Sequence, residues 1–313
     1  MSSFLKNGLK FAAMASILYL VFILIWGHFS FINKNLRYKI GCDGHLFTRN
    51  KAVKTKENID ILFLGSSHCF RGFDTRIFKK AGYDAFNLGS SAQTPLQAEL
   101  LANRYLTKLN PKLVIFEVYP NTFTSDGVES TTDLLSNIEM GKDIYHLVKA
   151  QKNIKLYHTF FFANFRKFFF KDLEKFVEPK INGEDTYVEG GYVEKKLKFY
   201  HPKAHPPKKW VFKKEQFAAF ERILNKLTKE NIPYLLIQSP ITKDYYKAHT
   251  NNNDFDKRMA AYGTYLNFNK LMNLNDSLHF YDAHHLNQDG VKLFCEAALK
   301  EIRKKEGLLK AKR

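Results

Sequence analysis

Four short stretches of this chain place reactive residue types where apolar runs end. Gly65-Ser66-Ser67-His68 closes a run at 59–64. A serine there, opening a helix, has backbone N–H groups and the positive end of the helix dipole beside it, which stabilise an oxyanion. Taken alone, such a turn reads first as a helix cap. The G-x-S-x-G elbow is absent, because Cys69 stands where its second glycine would be, and no G-x-G-x-x-G dinucleotide fingerprint occurs. Asn87-Leu88-Gly89 ends a second run, and the Gly89 N–H is a candidate second oxyanion donor, or simply part of a turn. Tyr119-Pro120-Asn121 ends a third, with the Asn121 amide as a candidate third donor or a loop cap. Near the C-terminus, Asp282 precedes His285 by three residues within DAHHLNQDG. On a turn that spacing puts both side chains on one side, so the carboxylate orients the imidazole while the imidazole takes a serine proton. The rival reading of the pair is a cap and a surface histidine. If the triad forms, His285 faces Ser67 and the adjacent His284 faces a neighbouring loop or solvent.

These segments must be held by a scaffold, and the pattern around them supplies one. Short apolar runs at 59–64, 84–88, 113–118, 232–238 and 278–281 read as buried strands. Between them lie helices at about 75–81, from Thr94-Pro95 (an N-cap and N1 proline) to about 109, around the stripe Phe217, Phe220, Ile223, Leu224 and Leu227, near 255–272, and at about 289–305. Strands alternating with helices imply a parallel sheet covered on both faces, with ligands beyond the carboxyl ends of the strands. All four chemical segments fall at such ends.

The order GSSH, NLG, YPN and DAHHLNQDG resembles blocks I, II, III and V of the SGNH/GDSL hydrolases over about 60–125 and 230–305. The resemblance implies an α/β, three-layer flavodoxin-like parallel sheet of about five strands, in a domain at 58–310 with an insertion at about 126–213. It implies Ser67 as nucleophile, Asp282 and His285 as triad partners, an oxyanion hole from Ser67, Gly89 and Asn121, and no metal or cofactor. Within the family the chain is most similar to membrane-anchored proteins of polysaccharide O-acetylation and teichoic-acid D-alanylation. That implies an esterase or acyltransferase on a cell-envelope glycan, beside a membrane-bound O-acyltransferase and outside the cytoplasm. A lipid-directed esterase and a non-catalytic partner of the acyltransferase are the alternatives. Two positions depart from the family pattern. Ser66 replaces the Asp of GDSL, and block III lacks the glycine and the following Asp of G-x-N-D, leaving Glu117 and Tyr119 as substitutes at that edge.

Residues 11–32 carry no formal charge, and 22 residues of helix extend ~33 Å, enough for a hydrocarbon core of roughly 30 Å. Trp26 suits an interface, and the run ends in Trp26-Gly27-His28-Phe29 without a small-residue cleavage site, so a single-pass signal anchor is expected, followed by a tether at 33–57. Lys6 and Lys10 before the span are balanced by Lys34, Arg37 and Lys39 after it, so charge bias does not orient it. A lipoprotein reading of Cys42 fails because the residue lies too far downstream, after Lys39, and the three cysteines are too scattered for a disulfide or zinc framework. Net charge is +18, and residues 141–214 hold 17 Lys and Arg against 8 Asp and Glu. This is a solvated basic face or an attraction to an anionic surface; no nucleic-acid motif accompanies it. Within it Phe161, Phe165, Phe168 and Phe169 share a helical face with Arg166, Lys167 and Lys171 alongside, either resting on a membrane or forming the insertion's own core. His201 and His205 lie in a proline-rich loop without a nearby carboxylate or cysteine, a poor metal site.

Overall fold

The computed structural model describes residues 3–29, 36–41 and 44–304. Cys42, residues 30–32 of the expected span and residues 33–35 of the expected tether lie outside them. The chain forms two compact units, residues 1–40 with 131–176 and residues 41–130 with 177–313.

The second unit is built on strands β1 (Ile61–Leu64), β2 (Ala85–Asn87), β3 (Leu113–Glu117), β4 (Ile181–Asn182), β5 (Asp185–Val188), β6 (Tyr192–Lys195), β7 (Tyr234–Gln238) and β8 (Tyr265–Asn267). Five form a parallel sheet in the order β2-β1-β3-β7-β8, with Phe63 opposite Asn87, Leu64 opposite Phe116, and Ile237 opposite Leu266. The runs in β1 and β3 are buried throughout, because each face is covered. Ile61, Phe63, Ile115, Leu235 and Ile237 pack with Phe294, Cys295, Ala298 and Ile302 of the helix Gln288–Lys304. Phe116 points the other way, its ring 5.0 Å from that of Phe220 on Lys214–Lys229. On that same face lies Pro95–Leu109, started by a Thr94–Gln97 capping box. The expected α/β parallel sheet of five strands is present.

The fifth strand is not where the apolar pattern puts it. Residues 276–279 form a helical turn because Asn275 accepts the N–H groups of Ser277 and Leu278, and only an isolated Phe280–Leu286 bridge remains there. The edge strand is instead β8. The helix expected across 255–272 stops at Tyr262, where Gly263 takes φ 152°, and the chain returns to pair with β7.

Nor are residues 44–57 a tether. Leu46–Ala52 is a helix whose Arg49 is buried, donating from Nε to the Gly191 carbonyl (2.9 Å), from Nη1 to Gly89 (2.7 Å) and from Nη2 to Gly44 (2.7 Å). The expected insertion divides likewise. Its later part contributes β4–β6, an antiparallel sheet anchored where Arg71 grips Asp185 with two bonds of 2.9 and 2.8 Å.

In the first unit, Ser3–His28 is long and apolar enough to cross a membrane, a test that a signal sequence also passes. Its Gly27 accepts the ring of Phe162, which a Cβ at that position would meet at 2.3 Å. The phenylalanine stripe splits. Phe161 and Phe165 are half-buried, whereas Phe168 and Phe169, on a π-helical turn at Arg166–Phe170, are 74% and 65% exposed; the buried ring, Phe162, was not part of the expected face. The basic residues do not all accompany them outward. Arg166 chelates Asp172 at 2.8 and 3.0 Å, and Lys167 Nζ turns to the Leu135 and Ile138 carbonyls at the end of the helix Val128–Asn137.

Candidate active site

At the carboxyl end of β1 the chain turns sharply into the helix Ser67–Gly72. Gly65, at φ 148°, permits the turn; a Cβ there would meet Glu117 Cβ at 2.7 Å and its backbone oxygen at 2.9 Å. Ser66 caps the helix by accepting the His68 N–H at 3.2 Å. It also donates its own N–H (3.1 Å) and hydroxyl (2.9 Å) to Glu117 Oε2, tying β1's end to β3's. Burial pushes the Glu117 carboxyl up to about 7, against the pull of those two bonds. With Ser66 and the helix end fixed, the Ser67 side chain stands half-buried at the edge of the sheet, and its N–H makes no hydrogen bond among the described residues.

The partner segment comes from the turn after residue 280. Asp282 Oδ1 accepts the N–H groups of His284 (2.9 Å) and His285 (2.8 Å), closing the turn, while Oδ2 meets His285 Nδ1 at 2.8 Å. The Asp282 carboxyl is held well below the usual carboxylate range. Burial acts against this, but the His285 bond, the two imidazoles and the turn amides outweigh it. His285 Nε2 lies 2.8 Å from Ser67 Oγ, and Tyr281 stacks parallel on its ring at 5.3 Å. The three residues expected from the sequence therefore form one continuous hydrogen-bonded line, with a carboxylate, an imidazole and a hydroxyl in the order that proton transfer needs.

The expected oxyanion partners fare differently. Gly89 is required sterically, since a Cβ would lie 2.8 Å from both Cys69 Cβ and the Ser66 carbonyl oxygen. Its N–H, however, donates to Asn87 Oδ1 at 3.0 Å and its carbonyl accepts from Arg49, so the loop is locked and that amide is already used. Asn87 also binds Cys69 through both ends of its carboxamide, and the β2 loop is thereby stitched to the helix bearing Ser67. Asn121 is exposed on a short 3-10 turn, its Oδ1 accepting from Thr124 at 3.3 Å. Among the described residues the Ser67 N–H and the Asn121 Nδ2 amide are therefore the uncommitted donors of the three, the latter exposed on its turn.

Sequence reasoning missed two residues here. His284 does not face solvent: its Nδ1 lies 3.1 Å from Nε2 of the buried His68, and its ring stacks 5.9 Å from that of Tyr119. Burial, then the neighbouring His285, lowers the His284 imidazole to about 4, and burial holds His68 well below the usual histidine range, so both are neutral at pH 7. One ligand nitrogen from each of His68, His284 and His285 lies within 4.8 Å of the other two. The signal available was the fourth letter of GSSH, one residue after the nucleophile.

No protein-family model matches the chain, and no match stands among curated proteins. Among solved structures it is similar to a GDSL-like lipase from Bacteroides thetaiotaomicron, with 13% identity over 79% of this chain and 89% of that one and a TM-score of 0.41. A Bacteroides fragilis protein designated an acylhydrolase is comparable, with 10% identity over 90% and 98% of the two chains and a TM-score of 0.40. Likeness this loose carries no functional conclusion, and the geometry of the site must do so.

Proposed function

We propose that this chain is a serine ester hydrolase or acyltransferase working through an acyl-serine intermediate, with Ser67, His285 and Asp282 as its triad. The observation behind this reading is the line Ser67 Oγ–His285 Nε2 (2.8 Å) and His285 Nδ1–Asp282 Oδ2 (2.8 Å). As Ser67 Oγ attacks an ester carbonyl carbon, His285 Nε2 takes its proton and Asp282 stabilises the imidazolium. The carbonyl oxygen, now negative, is met by the Ser67 N–H at the start of the helix. Collapse of the tetrahedral intermediate breaks the bond to the leaving oxygen, which receives the proton from His285. A water or acceptor hydroxyl then gives its proton to His285 and attacks the acyl carbon, and collapse of the second tetrahedral intermediate breaks the bond to Ser67 Oγ, which takes that proton back from His285.

For the substrate, the proposal is a small acyl group on a glycan of the cell envelope, handled outside the cytoplasm by a chain anchored through its first helix. Triad side chains that are half-buried rather than enclosed suit a bulky acylated polymer. A membrane-bound O-acyltransferase would be the acyl donor's source where transfer rather than hydrolysis occurs. The exposed Phe168 and Phe169 favour one other reading, a lipid-directed esterase. Labelling with a fluorophosphonate and mapping of the modified residue tests the core of the proposal. Modification of Ser67, abolished in His285→Ala, is expected; labelling elsewhere, or of Ser67 with His285 absent at the same rate, contradicts it. Turnover of acetyl against long-chain esters separates the glycan from the lipid reading.

A further inference from the structure

We propose that His68, His284 and His285 form a binding site for a divalent transition ion of the Zn2+ type, and that its occupation switches the triad off. The inference rests on the acyl-serine reading only for its inhibitory half; the binding half stands on the three imidazoles alone. Their facing nitrogens come from two segments 216 residues apart in sequence, with His68 Nε2 and His284 Nδ1 separated by 3.1 Å and His285 completing a triangle no wider than 4.8 Å. Three nitrogens on one tetrahedral ion at ~2.0–2.1 Å stand ~3.4 Å from one another. The observed triangle reaches that by small inward turns of the rings, and neutral imidazole is the donor such ions select.

Two of the three outer nitrogens, those of His285 and His68, also face a carboxylate as a metal site requires. A ligating histidine is normally held by a carboxylate or carbonyl at its other nitrogen, which fixes the tautomer and strengthens the donor. His285 Nδ1 has Asp282 Oδ2 at 2.8 Å. His68 Nδ1 faces Glu117 Oε1 at 3.8 Å, beyond hydrogen-bond reach, and these two fully buried atoms have no hydrogen-bond partner among the described residues. The serine mechanism gives neither atom a task. With an ion on Nε2, the His68 hydrogen moves to Nδ1 and points at that carboxylate, so the orphaned pair gains a purpose. With His68 Nε2 donating to it in the metal-free chain, His284 Nδ1 already presents its lone pair and its hydrogen already sits outward on Nε2, so no net proton is released. Three protein ligands leave a fourth position open beside Ser67 Oγ, which lies 2.8 Å from the His285 nitrogen the ion would take. An ion there removes the lone pair that accepts the serine proton.

The test uses the full chain without an affinity tag, in detergent micelles and stripped by chelator. Titration with Co2+ followed by visible absorption, and with Zn2+ by calorimetry, should each give one equivalent per chain, Zn2+ displacing Co2+. His284→Gln removes a ligand and should weaken binding by at least the ~10–100-fold that loss of an outer partner costs; His205→Gln, off the cluster, should not. One equivalent of Zn2+ should block fluorophosphonate labelling of Ser67, and chelator should restore it. No saturable binding, or binding unchanged in His284→Gln, overturns the site. Binding that leaves labelling untouched overturns the switch. Absence of labelling in the metal-free chain defeats the acyl-serine reading instead, while the binding result stands.

Discussion

Arg49 offers the most direct test of how the segment after residue 43 belongs to the fold. Its guanidinium makes three bonds of 2.7–2.9 Å to the carbonyls of Gly44, Gly89 and Gly191 and lies 4.6 Å above the Phe70 ring. Burial lowers its pKa to about 10, so it remains charged at neutral pH. Arg49→Met keeps much of the volume and strips the donors, leaving three buried carbonyl groups unsatisfied. At about 1–3 kcal/mol for each such group, and with water able to relieve part of it, the loss should be roughly 3–5 kcal/mol. That is a large share of a total stability on the order of 5–15 kcal/mol. Arg49→Lys should recover only part, because three ammonium hydrogens on one nitrogen cannot reach carbonyls approached from three nitrogens of a planar fork. Urea unfolding followed by Trp210 emission, in a Trp26→Phe background so that the sheet unit alone reports, measures both variants. If Arg49→Met changes stability by no more than the about 0.5 kcal/mol typical of a surface site, the segment is a tether after all and the buried assignment is wrong.

Loss of the base in His285→Ala should lower kcat by on the order of 10²–10⁴, with Ser67→Ala equally inactive, the double variant no worse and His284→Ala mild; full activity in His285→Ala would defeat the triad. His249 stacks on Trp210 at 3.5 Å, and burial lowers it to about 4. The unfolded imidazole takes a proton near pH 6.5 while the folded one resists to about 4, so this contribution to stability is complete above pH 6.5 and declines as pH falls towards 4. Urea midpoints across that range should decline less in His249→Phe, and parallel curves would refute the assignment. For the exposed Phe168, a Phe168→Trp variant lacking the other tryptophans should be quenched by shallow brominated lipids in proteoliposomes, whereas emission at a water-exposed wavelength would show that this turn does not reach the interface.

Much of the sheet was legible because its inner strands are buried on both faces. Continuous apolar runs mark β1, β3 and β7, and the capping pair Thr94–Gln97 marks its helix. The edge was not legible. β8 is three residues long and not fully buried, and it is a strand only through its bonds to β7, whereas Leu278, in the run that looked like a strand, is 54% exposed. Positive charge misled twice for one reason. Arg49 and Lys167 look like solvated residues in sequence, yet each spends its donors on carbonyl oxygens brought near by remote parts of its own unit. Composition counts a charge but cannot count its acceptors.

The site divides along the same physical line. Spacing within one turn is local, so the assignment of His285 over His284 followed from Asp282 three residues earlier, and one carboxylate both closes the turn and aligns the ring. What His284 meets instead is not local. The two neighbouring rings do not diverge: their centroids lie 4.1 Å apart, and His284 is turned towards the helix after β1, which carries His68 behind Ser67, and towards Tyr119 at the end of β3. The Gly89 amide follows the same rule: a glycine at a strand end is visible in sequence, but the Asn87 carboxamide that occupies its N–H is aimed by the packing of Cys69 against that loop. Under the proposed mechanism the Ser67 N–H is the oxyanion donor at the helix start, and for the Gly89 loop to contribute, the Gly89–Asn87 bond must open when substrate binds.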